Sequence, residues 1–278
     1  MSLPVKKIYI DSRYKTNDSV STSNFKFQLP RNVFLPQNTV FYLEDVCIPH
    51  SWYTVEAGLN DTIYLYYQNA NLTYGIFPLT IPPTNYLGPT LASTVQGLLR
   101  LKDDTFRVSY DLNNHNITIS LTTPNVKFQI LSDDALAGYP ADVLAQINVN
   151  TSSPNSWNDL IGNTTASSTL YDSTNPYISG MLDLLSIRNI FISSPNLGSF
   201  STMGARGESN IIKKVPVSSD FGYLVIDSFT SPHDFLDCSK LTLGTIEFSL
   251  RDVKGNYVPL HGGHVSFSIV FSAMNLDT

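Results

Sequence analysis

The feature that most constrains this chain is an alternation of apolar and polar residues that recurs in short runs from near one end to the other. In residues 24–30 (NFKFQLP) every second residue is apolar until Pro30 ends the run. Residues 264–272 (HVSFSIVFS) repeat the pattern, with Val265 and Phe267 on the same parity. A period of two places alternate side chains on opposite faces of an extended strand. A chain built from such runs is predicted to be mainly β.

Outside residues 70–182, the runs predict eight main strands, at 24–30, 39–48, 62–68, 186–193, 209–216, 222–227, 242–250 and 264–272. Eight is the number of strands in a jelly roll of two packed sheets. The predicted fold class is therefore mainly β, a single jelly-roll β-sandwich with an inserted α+β region. Residues 1–69 and 183–278 are assigned to the jelly-roll domain. The strand-like run 6–12 is interpreted as extra, within an N-terminal arm of about residues 1–14.

The insertion, residues 70–182, carries the one clear helix signal. Residues 84–102 place Pro89 in a first turn and apolar residues at helical spacing after it. Three further strands are predicted, at 105–110, 116–121 and 126–131. Residues 133–182 are dense in Ser, Thr, Asn and Pro, which predicts a long loop with one helical turn near 134–146.

The composition indicates a weakly charged surface. Charged residues make up only 14% of the chain, against about 25% in typical globular domains. Such a surface suits packing against many neighbours, because few ions must be desolvated on contact. The same composition equally fits a secreted-type β protein with a neutral coat. The net charge of −6, with no Lys/Arg run longer than two residues, argues against direct binding of DNA or RNA.

Neither a membrane span nor a secretion signal is predicted. No apolar run reaches the ~18 residues that a spanning helix needs. The first residues, MSLPVKKIYIDSR, lack the apolar core of a signal peptide. Cys47 and Cys238 are far apart in sequence. Two buried thiols are the favoured interpretation, and a disulfide between them is the alternative.

Candidate catalytic groups are sparse. His261 and His264 form an H-x-x-H pair, but glycines at a turn separate them, so they are interpreted as turn residues rather than metal ligands. The adjacent acids at 103–104 and 133–134 are interpreted as turn or cap residues rather than as an acid/base pair. We therefore expect no enzyme activity, no catalytic or metal-binding residues and no cofactor.

Aromatic residues in loops supply candidate contacts with a partner, because Tyr and Trp are frequent interface anchors. Trp52 and Tyr53 lie in a predicted loop after a buried strand. Arg206, in the glycine-rich sequence GARGE, is a further candidate contact. The interpretation of GARGE as a plain interstrand loop without a binding role has at least equal weight. Ile8 and Tyr9 of the predicted arm complete the candidate assembly interface.

A series of short phrases follows in a fixed order, namely IYIDSRYKT…SNFKFQLP, VCIPHSWYTV…NDTIYL, LTIPPTNYLGPTLASTVQGLL, IFISSPNL, IIKKVPVSSDFG and IEFSLRDVKGNYVPLHGGHVSFSIVF. In these phrases and their order, the chain resembles the penton, or minor capsid, proteins of virophages and of Polinton/Maverick-type viruses. The resemblance covers most of the chain except about residues 134–182. Each phrase alone is ordinary strand-and-turn sequence, and the specificity lies in their joint order.

The resemblance implies a homopentamer at the five-fold vertices of an icosahedral capsid, with the major capsid protein around the vertex and an insertion that projects outward. It implies a protein of the virion, made in the host cytoplasm or viral factory. A separate prediction from the residues is that the N-terminal arm, which begins MSLPVKK before the sandwich, reaches a neighbouring subunit or the interior of the shell. A host receptor bound through the insertion is a further partner to expect.

Two other functional classes stay open. One is a receptor- or glycan-binding head module of a viral spike or tail, because jelly rolls also host lectins and the insertion offers polar loops. The other is an enzyme on a β-sandwich, such as a polysaccharide hydrolase, which needs two acids across a cleft. A ring of five subunits would favour the penton protein, a trimer the head module, and cleavage of a polysaccharide the enzyme.

Overall fold

The computed structural model describes residues 6–149, 154–163, 169–197, 202–229 and 234–273. Its strands are β1 (Lys6–Asp11), β2 (Asn24–Phe34), β3 (Thr39–Pro49), β4 (Thr62–Gln68), β5 (Tyr74–Thr80), β6 (Arg107–Asp111), β7 (Asn116–Ser120), β8 (Lys127–Ile130), β9 (Tyr177–Ile178), β10 (Asn189–Ser193), β11 (Ile211–Pro216), β12 (Leu224–Asp227), β13 (Leu236–Asp237), β14 (Thr242–Arg251) and β15 (Ser266–Ala273). Its helices are α1 (Gly88–Arg100), α2 (Asp133–Ala137), α3 (Ala141–Gln146) and a 3-10 helix at Ser12–Tyr14. Within the described ranges, none of these helices has the length and apolar character needed to cross a membrane.

The chain divides into two compact units. The sandwich unit comprises Met1–Trp52 and Ile187–Thr278, and the inserted unit comprises Tyr53–Ser186. The sequence prediction began the insertion at residue 70, and the structure begins it at residue 53. The difference arises because β4 reads as an ordinary strand, and a period of two shows that a segment is extended without showing which strand it pairs with.

The sandwich unit consists of two antiparallel sheets. Sheet A has the strand order β1-β15-β3-β12, with β13 also pairing with β3, and sheet B has the order β11-β10-β14-β2. When the strands of this unit are counted along the chain, with β13 left aside, sheet A reads first-eighth-third-sixth. Sheet B reads fifth-fourth-seventh-second. This is the strand order of a jelly roll, in which two Greek keys wrap into two packed sheets. The predicted fold class is confirmed.

One member of the predicted set of eight strands is corrected. β4 lies in the inserted unit, and its place in the sandwich is taken by β1. β1 pairs with β15 from Lys6↔Phe271 to Asp11↔Ser266, so Lys6–Asp11 is a sandwich strand rather than part of a free arm of residues 1–14. Residues 1–5 of that predicted arm lie outside the described residues.

The core of the sandwich unit lies between sheets A and B. The ring centroid of Phe248 in β14 is 5.5 Å from that of Phe25 in β2 and 4.9 Å from that of Phe267 in β15. Phe41 and Phe271 pair within sheet A at 6.1 Å. Because Phe248 contacts both sheets, these rings hold the two layers face to face, and tilted or edge-on ring pairs are favourable beyond the area they bury.

The inserted unit contains two three-stranded antiparallel sheets, β5-β4-β8 and β6-β7-β9, together with α1. α1 begins at Gly88, with Pro89 in its first turn, and the backbone N–H of Leu87 donates to Thr90 Oγ1 at 2.9 Å. Pro suits this position because its missing N–H would have no partner in the first turn anyway. The buried face of α1 consists of Gly88, Leu91, Ala92, Val95 and Leu99.

Polar side chains hold the segment that was predicted as a long loop, where the structure also forms α2, α3 and β9. Asp133 accepts hydrogen bonds from Ser156 Oγ at 2.5 Å and Asn158 Nδ2 at 2.7 Å. Asn155 Nδ2 donates to Asp61 Oδ1 at 2.8 Å. The Ser- and Asn-rich composition therefore supplies internal hydrogen-bond partners as well as a polar surface.

Candidate functional site

Sheet A has two open edges, and they expose different side chains. β12 forms one edge and pairs with β3, while β1 forms the other and pairs with β15. The β12 side is defined as residues 211–229 and 234–237, which include β11 and β13, and the β1 side as residues 6–34. An edge strand leaves backbone and side-chain groups uncovered by its own sheet, so it is a natural place for a partner to bind.

The β12 side exposes apolar side chains. Val225 is buried in the core, whereas Leu224 and Ile226 are 54% and 58% exposed. Six large apolar residues of this side are exposed, namely Phe221, Tyr223, Leu224, Ile226, Phe229 and Phe235. Single exposed apolar residues are ordinary, but several along one edge strand and its flanking turns indicate an interaction surface.

His50 holds the turn that leads into β12. Its backbone N–H donates to the carbonyl of Tyr223 at 2.8 Å, and its carbonyl accepts from the N–H of Gly222 at 2.8 Å. His50 Nδ1 lies 2.7 Å from the carbonyl of Ser219, so this nitrogen carries the proton and donates. Gly222 has φ +87°, a conformation that favours glycine. The turn therefore presents Phe221 and Tyr223 from a backbone that is fixed by hydrogen bonds.

Acidic residues lie between or next to the apolar residues of the β12 side in sequence. From residue 211 to 237 the sequence contains four Asp residues against two Lys, namely Asp220, Asp227, Asp234, Asp237, Lys213 and Lys214. Lys213 is largely buried, and its Nζ lies 3.6 Å from Asp227 Oδ1 and donates to the carbonyl of Phe229 at 2.8 Å. The net charge of this side is therefore negative.

The β1 side has the opposite character. Tyr9 and Tyr14 are 71% and 75% exposed. Residues 6–34 contain six Lys or Arg residues and two Asp, and the cations are Lys6, Lys7, Arg13, Lys15, Lys26 and Arg31. The chain carries 17 Lys and Arg residues in all, so this short stretch holds a third of them and is positive in a protein that is negative overall.

Both acids of the β1 side are paired with its own cations. Arg13 donates to Asp11 through Nε at 3.0 Å and Nη2 at 2.5 Å, and these hydrogen bonds lower the pKa of Asp11. Lys26 Nζ lies 2.7 Å from Asp18 Oδ2, and hydrogen bonds from Lys26 and then Thr16 lower the pKa of Asp18 to about 2. Both carboxylates therefore stay charged at neutral pH and leave a net positive surface.

The structure places two of the predicted interface residues in or beside the core. Trp52 is 1% exposed and stacks on His50, with 4.1 Å between ring centroids. The expectation of an exposed anchor is therefore corrected for Trp52. The sequence misled because the chain stays inside the sandwich unit until this residue, three positions beyond the end of β3. Tyr53 is half-buried and is the first residue of the inserted unit.

The other three predicted residues differ in exposure. Ile8 is half-buried and packs on the sandwich core, while Tyr9 points outward on the β1 side. Arg206 is exposed in the connection between β10 and β11. Its backbone N–H donates to Glu208 Oε2 at 3.0 Å, and its guanidinium donates to the carbonyl of Lys254. Tyr9 is the aromatic residue of these three, and its side chain is accessible to a partner.

The histidines of the H-x-x-H pair have separate structural contacts. His261 Nδ1 lies 2.7 Å from the carbonyl of Ser51, and His264 Nδ1 lies 3.3 Å from Ser12 Oγ. Among the residues that the structure describes, no group of three or more His, Cys, Asp or Glu side chains is arranged to hold a metal ion.

Both cysteines are free thiols in the structure. Cys238 is buried, its Sγ lies 3.4 Å from the carbonyl of Thr39, and burial raises its pKa to about 12. Cys47 is half-buried, and burial raises its pKa as well. Neither environment favours a reactive thiolate, because that requires a lowered pKa.

Sequence reasoning missed the β12 side as a candidate surface. The signal for it is the run DFGYLVIDSF at residues 220–229, which is apolar at both parities over a very short strand. A buried central strand gives the same pattern. The two cases separate only when the pairing partners of the strand are known, and here β12 pairs with β3 at the edge of sheet A.

Comparison with known proteins adds a likeness to solved structures, a penton protein among them. No protein-family model and no curated protein matches the chain. The crystal structure of selenomethionine-labelled mavirus penton protein aligns with 98% of this chain and 100% of its own, with a TM-score of 0.49 and 9% sequence identity. The chain is thus similar to a penton protein among solved structures as well as in its ordered phrases, at a level that leaves its function to be inferred from its own residues.

Proposed function

We propose that this chain is a structural virion protein, a penton or minor capsid protein that forms a closed pentameric ring at the five-fold vertices of an icosahedral capsid. The observation that carries the proposal is the jelly-roll strand order, with a separate unit inserted between the third and fourth strands of the sandwich. The ordered phrases that resemble penton proteins run through both units. A fold alone does not assign a function, so the proposal depends on both observations together.

The surface of the sandwich unit supports assembly into a ring. A ring requires heterologous contacts, in which one patch of each copy binds a different patch of the next copy. The β1 side and the β12 side are two such patches at opposite edges of one sheet. The low share of charged residues, 14%, also reduces the number of ions to be desolvated when copies pack together.

The proposal includes the partners that such a position requires. A vertex ring contacts the surrounding major capsid protein and is located in the virion after synthesis in the host cytoplasm or viral factory. The proposed role is structural and needs neither catalysis nor a cofactor.

Measuring the mass of the purified protein and imaging it in negative stain tests the proposal. The expected particle has five times the mass of one 30.8 kDa chain and appears as rings of five. Antibody labelling of intact virions is expected to mark the vertices. A stable monomer that is absent from virions would contradict the proposal.

A second candidate function, a receptor- or glycan-binding head, is favoured by one feature of the inserted unit. The rings of Tyr66 and Tyr74 stack with 5.6 Å between centroids, and Tyr74 is exposed. Tyr139 lies close enough that its pKa is raised, mainly by burial and also by Tyr66 and Tyr74. Clustered tyrosines offer an apolar face with polar tips, which suits stacking against a sugar ring.

Glycan-array binding tests this second function. If the inserted unit binds a glycan, Tyr74→Ala should abolish the signal that the intact protein gives. Leu72→Ala is the control, because Leu72 is an exposed aliphatic residue in the same β4–β5 turn and should leave the signal unchanged. Equal loss in both variants, or no glycan signal at all, would argue against this function.

A further inference from the structure

We infer that the β1 side of one copy binds the β12 side of the next copy. This inference rests on the proposed ring and names the two surfaces that meet in it. The occupant of each surface is a second copy of this chain. The contact is side chain to side chain, between the tyrosines and cations of one edge and the apolar residues and acids of the other.

Charge decides between this arrangement and a two-fold contact. In a two-fold contact a surface meets its own equivalent, so two β12 sides, each with four Asp residues against two Lys, would face each other. In a head-to-tail contact this net negative side faces the net positive β1 side, which has six Lys and Arg residues against two Asp. Like charges across an interface are costly, whereas opposite charges increase the association rate and fix the register.

Apolar exposure supplies the second argument. Outward-facing Leu224 and Ile226 lie at the middle of the β12 side, and Phe221, Phe229 and Phe235 lie around them in sequence. On the β1 side the large exposed apolar and aromatic residues are Tyr9, Tyr14, Val20 and Phe34, and Lys7 Nζ lies 5.1 Å from the ring centroid of Tyr9. Aromatic residues are enriched in the cores of interfaces, and charged residues belong at the rims. Each side therefore has an aromatic or aliphatic centre with charges around it.

The ordering of both sides favours a preformed surface. The turn before β12 is fixed by hydrogen bonds between His50 and Tyr223 and between Gly222 and His50. On the other side, the N–H of Thr16 donates to the carbonyl of Lys26 at 2.9 Å, and Asp11 and Arg13 are held together by charge-assisted hydrogen bonds. Surfaces that are already ordered lose little conformational freedom on binding.

The first test is a matched pair of substitutions in the full chain. Ile226→Glu places a charge at the centre of the β12 side and is expected to weaken ring formation by about a hundredfold or more, because a hot-spot position is affected. Ile178→Glu is the control, because Ile178 is in β9 of the inserted unit and both isoleucines are 58% exposed. Both variants should stay folded, with the circular dichroism spectrum of the wild type, since both side chains already face solvent.

The second test reverses charge on each side separately and then together. Lys6→Glu, Lys15→Glu and Arg31→Glu together make the β1 side acidic, and Asp220→Lys with Asp237→Lys makes the β12 side basic. Each of these two charge-reversed variants alone is expected to sediment as a monomer. All five substitutions in one chain should restore the ring, because opposite charges again face each other at every contact.

Mixing the two charge-reversed variants examines the head-to-tail geometry and the odd number of subunits together. Favourable contacts then form only between unlike chains, which must alternate around the ring. Five is odd, so a closed ring of five keeps at least one repulsive contact. The mixture is therefore expected to give open chains or even-numbered rings rather than pentamers.

The outcomes separate the two proposals. If the wild type is a monomer under all conditions, both the ring and this contact are overturned. If the wild type forms rings that Ile226→Glu and the charge reversals leave intact, the contact is overturned and the ring stands. If Ile226→Glu dissociates a two-fold dimer, the head-to-tail contact is overturned.

Discussion

The two units of this molecule are built from opposite kinds of chain connection. In the sandwich unit β1 pairs with β15 and β2 pairs with β14, so each of these pairs joins segments more than two hundred residues apart. The inserted unit is one continuous stretch, Tyr53–Ser186, in which neighbouring strands such as β4 and β5 or β6 and β7 form hairpins. The sandwich therefore depends on long-range contacts, while the inserted unit can form its sheets locally.

The two units also differ in the features described for them, an exposed apolar edge in one and an internally hydrogen-bonded polar segment in the other. The sandwich unit exposes apolar residues on its β12 side, whereas the inserted unit holds its Asn- and Ser-rich segment through Asp61 and Asp133. The first arrangement leaves surface available for a partner, and the second satisfies polar groups within the unit. One chain thus combines a unit with an exposed apolar edge and a unit whose Asn- and Ser-rich segment is held by internal hydrogen bonds.

The largest expected effect comes from removing one buried aromatic ring from the core of each unit in turn. Phe248→Ala in the sandwich core is expected to lower the free energy of unfolding of that unit by about 3–5 kcal/mol, the usual cost of removing a buried aromatic ring. Phe128→Ala is the matched change in the inserted unit. Phe128 is fully buried, and its ring centroid lies 5.2 Å from that of Phe106. Hydrogen exchange measured peptide by peptide should show each variant loosening its own unit. Equal loss of protection from hydrogen exchange in both units would contradict the division of the chain into two separately packed units.

A smaller effect is expected from two glycines of α1. A Cβ added at Gly88 would lie 2.3 Å from the ring of Tyr110, whereas a Cβ at Gly97 would meet no atom within 4 Å. Gly88→Ala should therefore destabilise the inserted unit by about 1–3 kcal/mol. Gly97→Ala should stabilise it by up to about 1 kcal/mol through helix propensity. Thermal unfolding of both variants checks the opposite signs, and two shifts in the same direction would contradict the geometry.

The smallest expected effect is a pH dependence confined to the inserted unit. Burial acts to raise the pKa of Asp103, but hydrogen bonds from Thr105, Thr123 and Tyr67 outweigh it, and the net shift is downward from 3.8. A carboxylate with a lowered folded-state pKa stabilises the protein above its usual pKa, and this stability is lost as the pH falls through the folded value. Asp103→Asn should therefore reduce the loss of stability below about pH 4.

Unfolding titrations between neutral and acidic pH measure this effect. Asp104→Asn is the control, because it removes the same formal charge one residue away at an exposed position. An Asp103→Asn variant with an unchanged acid transition would show that these hydroxyl contacts do not contribute to stability.

The sequence predicted the presence of elements better than their partners. β2 and β15 were found from the alternation of apolar and polar residues in their sequences, although β15 is buried on both faces. α1 lies within its predicted range, because its apolar residues follow the helical period on one buried face. β4 and β1 exchanged roles because periodicity does not encode pairing partners. β1 pairs with β15, more than two hundred residues away, whereas β4 pairs with β5 and β8 of its own unit. The helices α2 and α3 are too short to give a clear period.

The candidate surfaces were predicted only in part. Tyr9 was identified from the sequence, and the structure exposes it, although on an edge strand rather than on an arm. Trp52 was expected on the surface but is buried. The prediction failed because the sequence beside a strand end does not distinguish a buried aromatic residue from an exposed one. The β12 side was missed since its exposure follows from the position of β12 at the edge of sheet A.

The place of β15 in sheet A has a consequence for how the protein is made. β15 is the last described strand along the chain, yet it lies between β1 and β3. A ribosome releases the polypeptide from its N-terminus at about 5–20 residues per second. The inserted unit has therefore emerged well before Ser266–Ala273, while sheet A still lacks an inner strand. Prematurely terminated polypeptides without β15 are expected to remain open at that gap, so that sheet A is completed only in finished translation products.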